Sequence, residues 1–154
     1  NGEVIVPAGA DQNRRSIYVK IKRLNPETLL QVFDQPTMSV NCTQRSMSTV
    51  STQALALLNG DTITRAATAF AERVTSEQSD DPVKRAVLTA FARPTTKDEH
   101  DLLTQFFEAQ KAQYQSETAE ADRDKPESLA AAKNRARVDL CHMLMSSNEF
   151  VYLD

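Results

Sequence analysis

The stretch Asp61–Phe91, DTITRAATAFAERVTSEQSDDPVKRAVLTAF, decides the fold class. Ile63, Ala66, Ala67, Phe70 and Val74 recur at helical spacing and predict a helix over about 62–76 with one apolar face. Ser79-Asp80-Asp81-Pro82 then resets the chain. Asp81 can accept from the free N–H groups of a helix start, and proline, with its fixed φ and no N–H, suits the first helical position. Val83, Ala86, Val87, Ala90 and Phe91 make a second stripe, which Arg93-Pro94 ends because a residue before proline disfavours helix.

Towards the C-terminus, Thr96 and Glu99 have the spacing of a capping box, and open a longer helix with Leu102, Leu103, Phe106 and Phe107 turned inward. Residues 115–127, QSETAEADRDKPE, are polar and charged and predict a mobile connection. A last helix is expected over about 127–146, through Leu129, Ala132, Ala136, Leu140, Met143 and Leu144. Ser146-Ser147-Asn148 breaks it. Glu149 to Leu153 then form an apolar tail that needs a groove.

Towards the N-terminus, Met38–Gly60 holds a single charged side chain, Arg45, among seven hydroxyls. It predicts an irregular polar coil laid on a core and running into a buried helix, QALALLN, capped by Ser51 or Thr52 and stopped at Asn59-Gly60. Asn25-Pro26-Glu27 predicts a short helix carrying Leu29, Leu30 and Phe33. Ile17, Val19 and Ile21 alternate with polar residues, which suits an extended segment, and residues 1–13 form an extended leader. The expected fold is mainly α. It is a compact bundle of five to six helices with a short extended N-terminal element and the irregular coil, in one domain over residues 1–154.

Three glycines in 154 residues argue against a turn-rich β architecture. Net charge is −3, divided as +2 over residues 1–60 and −5 over 61–154, which excludes the broad basic face of a nucleic-acid binder. No run approaches the roughly 20 apolar residues of a membrane span. The chain opens on NGEVIVPAGA without an initiating methionine and reads as a piece of something longer.

Little in the sequence points to chemistry. His100 lies in a charged helix start. His142 follows Cys141, but a c-type haem site needs a second cysteine where Val138 stands. Neighbours on a helix point about 100° apart, so Cys141 and His142 make a poor dyad. Cys42 and Cys141 are either one long-range disulfide or two buried thiols, since their separation suits no metal pair. Met38, Met47, Met143 and Met145 suit core packing better than haem ligation. No metal, cofactor or catalytic set emerges. The candidate ligand site is Arg14 and Arg15 with Arg45, Ser46, Ser48 and Thr49, where guanidinium groups and hydroxyls could take an anion or a sugar.

Several segments fall together in one order: Arg14 to Tyr18, Leu30 through Pro36, the Cys42–Thr49 coil, Gln53 to Asn59, Ala90 to Thr95, and Asp139 to Phe150. In combination they resemble the planctomycete cytochrome C-associated domain of PSD type, a domain of unknown function, from about residue 14 to 154. The resemblance implies the C-terminal portion of a larger extracytoplasmic protein, periplasmic or secreted, with haem in an upstream domain and none here. It brings no catalytic residues. The expected role is a non-catalytic accessory or interaction domain whose partners are the upstream domains of the same polypeptide. The alternatives are a carbohydrate or polyanion binding module, with a polysaccharide as partner, and part of an enzyme completed by an upstream domain.

Overall fold

The computed structural model describes residues 30, 32–33, 51–77, 80–118 and 125–152. Among the described residues six helices have defined bounds and there is no strand: α1 (Ser51–Asn59), α2 (Asp61–Ser76), α3 (Pro82–Phe91), α4 (Lys97–Glu117), α5 (Pro126–Met145) and α6 (Asn148–Val151). The mainly α class follows from the sequence as expected. The extended N-terminal element and the polar coil lie outside the described residues. The chain gathers into two units, Asn1–Ala56 and Leu57–Asp154.

In the first unit, Leu30 and Val32 are helical, within the helix expected after Asn25-Pro26. Gln53 is buried, and its side-chain amide donates to the Val32 carbonyl at 3.1 Å. Ser51 and Thr52 form the first turn of α1, not its cap.

The second unit is organised on α5, which packs against α2, α3, α4 and α6. Contact on several sides explains why α5 buries two adjoining rows, Ala132, Ala136, Leu140 and Leu144 beside Arg137 and Cys141. Facing them are Ala71 and Val74 of α2, Val83, Ala86 and Val87 of α3, and Leu103 and Phe107 of α4. Ala86 and Ala136 are fully buried, and their small side chains let the helix backbones approach closely. Burying each of the larger residues stabilises the unit by about 1.5–3 kcal/mol.

Local chemistry sets the helix boundaries. Asp81 caps α3, its Oδ1 accepting from the N–H groups of Val83 and Lys84 at 3.1 Å each, with Pro82 at the first position. The capping box of α4 is complete: Thr96 Oγ1 accepts from the Glu99 N–H, and Glu99 Oε2 accepts from the Thr96 N–H, both at 3.3 Å. Gly60 does not end α1 in the left-handed conformation. It is extended, with φ −76°, and caps α2, its carbonyl accepting from Ile63 and Thr64. The left-handed cap falls instead on Ala92, φ 55°, after α3.

Four expectations need correction. Helix α1 is not buried as a whole: Leu55 is 61% and Leu58 58% exposed. Leu102 is 66% exposed, because α4 turns only the Leu103–Phe107 side to the core. The tail is only partly covered: it makes one helical turn, α6, against α3 and α5, with Phe150 44% exposed and Tyr152 exposed. And α4 continues through Gln115–Glu117, three residues into the stretch read as a connection. There Tyr114 donates to Asp139 at 2.6 Å and lies under the Arg135 guanidinium at 3.9 Å, tying the end of α4 to α5.

Asp81→Ala removes two bonds to α3 and the carboxylate that faces His100 Nε2 at 2.8 Å. A loss of about 1–2 kcal/mol in urea unfolding is expected. A loss below about 0.5 kcal/mol would show that Pro82 alone sets the start of α3.

Candidate functional site

Arg14, Arg15, Arg45, Ser46, Ser48 and Thr49 all lie outside the described residues, and so does Cys42. Cys141 is a buried free thiol in the core, and burial pushes its pKa up to about 12, so it is not a thiolate near neutral pH. His142, one position on, faces the other way. Its Nε2 donates to the Leu57 carbonyl at 2.9 Å, joining the end of α1 to α5. The two side chains diverge, as their positions on a helix require.

His142 also lines a cleft of about 550 Å³ with Leu58, Phe106, Gln110, Asp139, Met143, Ser146 and Ser147. Leu58, Phe106 and Met143 make its walls apolar. Asp139 is occupied by the Tyr114 hydroxyl, and that bond, aided by burial, raises the Tyr114 pKa above its ordinary value. The cleft offers contact surface and hydrogen-bonding groups but no nucleophile held by a base.

Arg93, after α3, is a structural clamp. It donates two hydrogen bonds to Glu99 (2.9 and 3.0 Å) and two to Glu149 (2.6 and 2.7 Å), and lies 5.3 Å from the Phe91 ring centroid. Those carboxylates raise the Arg93 pKa, and Arg93 in turn lowers both of theirs. Ala90–Thr95 and Asp139–Phe150, two of the segments that carry the sequence resemblance, therefore meet in space.

The least expected feature is Arg137 of α5, 8% exposed. Its Nη1 donates to Thr75 Oγ1 of α2 at 2.7 Å and to Asn134 Oδ1 at 2.9 Å, while Nε is buried without a partner. Among the described residues no carboxylate pairs with it. Buried charges are ordinarily paired, and a buried donor left unsatisfied costs about 1–3 kcal/mol. Arg137 lines a pocket of about 350 Å³ between α2 and α5 with Thr68, Ala71, Glu72, Thr75, Ser76, Asn134 and Val138. The sequence does contain a signal for it: Arg137 is four residues before Cys141 and seven before Leu144, hence on a face those two bury.

The family described as "PSD1: Protein of unknown function (DUF1553)" matches residues 4–107. The chain belongs to this family. No curated protein and no solved structure matches it. The PSD1 match ends at Phe107 in α4, so α5, Arg137 and the Asp139–Phe150 segment lie beyond it, whereas the resemblance read from the sequence extended to residue 154. The PSD1 description assigns no role.

Proposed function

We propose that this chain is a non-catalytic accessory domain that holds a neighbouring part of a larger exported, cytochrome-c-associated polypeptide. The observation that carries the reading is an apolar surface on the second unit. Leu102 (66% exposed) precedes Phe106 by one turn of α4, and Phe106 continues into the cleft bordered by Leu58 (58% exposed) and Met143. Beside Leu102, Arg93 is spent on ties within the fold, to Glu99 and Glu149. Residues 61–154 carry a net charge of −5, so the fitting occupant is an amphipathic helix from the upstream domains with a basic rim. On this reading the domain works outside the cytoplasm, and haem belongs to an upstream domain.

The test is association between this chain and the separately produced upstream part of its polypeptide, followed by calorimetry. Leu58→Asp with Leu102→Asp should weaken binding about tenfold or more while leaving the helical signal unchanged, since both side chains are exposed. Raised salt should weaken it further. No association, or association indifferent to the double substitution, would overturn the reading.

A further inference from the structure

The pocket at Arg137 separates hydrogen-bond donors from acceptors. At its buried end, Arg137 bonds through Nη1, and among the described residues no hydrogen bond is made by Nη2. Asn134, itself exposed, accepts from Arg137 through Oδ1, so its amide NH₂ is left as a second donor beside the guanidinium. Thr75 cannot serve: its hydroxyl donates to the Ala71 carbonyl at 2.8 Å and accepts from Arg137. At the rim the pattern reverses. Thr68 donates to the Thr64 carbonyl and Ser76 to the Arg73 carbonyl, so both hydroxyl oxygens remain as acceptors, beside the carboxylate of Glu72.

We propose that this pocket is a binding site for a single hydroxylated carboxylic acid of the sugar-acid class, its carboxylate held by Arg137 and Asn134 and its hydroxyls donating to Glu72, Thr68 and Ser76. Ala71 and Val138 supply the apolar wall against which a ring can lie. One guanidinium opposed by one carboxylate leaves the pocket near neutral, which suits a monoanion and penalises a dianion such as phosphate. A volume of about 350 Å³ admits one sugar ring, not a chain. The site is independent of the apolar surface on α4, and it uses none of the residues 14–49.

The test titrates the full chain with glucuronate, glucose and inorganic phosphate at equal ionic strength by calorimetry. Saturable binding of glucuronate is expected, with glucose and phosphate weaker by about tenfold or more. Arg137→Met should abolish the glucuronate signal. Asn134→Asp should do the same by a different route, because the new carboxylate pairs with Arg137 in place of the ligand, and it should raise the melting temperature. That second variant decides the matter if Arg137→Met fails to fold. Glu72→Gln should narrow the preference for glucuronate over phosphate. Absence of saturable glucuronate binding, phosphate binding as tight as glucuronate, or retained binding in Asn134→Asp would each overturn the proposal.

Discussion

Phe107→Ala is expected to destabilise the second unit by about 3–5 kcal/mol, the usual range for truncating a buried aromatic residue. Phe107 is 5% exposed and stands where α4 meets the core residues of α2, α3 and α5. The core cluster it belongs to includes Ala71, Ala86 and Ala136, which have no side-chain length with which to refill the space. The lost transfer free energy is therefore joined by a cavity term. The melting temperature should fall by roughly 6–20 °C. Leu102→Ala on the same helix provides the contrast, with an expected change within about 0.5 kcal/mol because that side chain is mostly in solvent. Denaturant unfolding of the two variants checks both. A loss under about 1 kcal/mol for Phe107→Ala would mean that the ring does not close the core.

Acid should produce the second large effect. Among the described residues, four carboxyl groups of the folded chain hold their protons less tightly than usual. Hydrogen bonds from Arg73 and then Arg85 lower the Glu77 pKa, and Arg93 lowers those of Glu99 and Glu149. Burial opposes ionisation of Asp81, but bonds from the Lys84 N–H and the His100 ring outweigh it and leave the pKa lowered. The ordinary values are 4.5 for glutamate and 3.8 for aspartate. Below these values the unfolded chain takes up protons that the folded chain still refuses, so folding loses stability as pH falls. The contribution is complete above the ordinary values and disappears as pH drops through the lower folded ones. Urea midpoints should stay level from about pH 7 to pH 5 and decline steeply below about pH 4.5. Arg93→Gln should remove the share of that decline due to Glu99 and Glu149, and salt should reduce it, since both pairs reach solvent. A midpoint constant down to about pH 3 would refute the assignment.

How far the sequence could be read depended on the range of the interaction concerned. Asp81-Pro82 and Thr96–Glu99 were legible as helix starts because a cap bonds groups two or three residues away. The stripes of α2 and α3 were legible because each helix buries one face. The stripe of α4 was read too wide: periodicity gives the direction of an apolar face but not how much of it a partner covers. On α5 the sequence showed one row of apolar residues, and the second row passed unnoticed because it holds an arginine.

The candidate sites fared in the same way. The sequence pointed to residues 14–49 for their charge and hydroxyl composition, and those lie outside the described residues. It read Arg93 as a helix stop and Glu149 as part of a tail, although the two are joined across 56 residues. It did not single out Arg137 at all.

By itself, then, the sequence determined the helical class, the starts of α3 and α4, the phase of their apolar faces and the family. These rest on bonds within one turn and on side-chain order along the chain. Only the tertiary structure decided that α5 is central, that Arg93 clamps α6, and that Arg137 is buried beside Thr75 with no carboxylate among the described residues to neutralise it. Each depends on which helices lie on either side of α5, and a burial or an ion pair between residues far apart in the chain has no counterpart in local spacing.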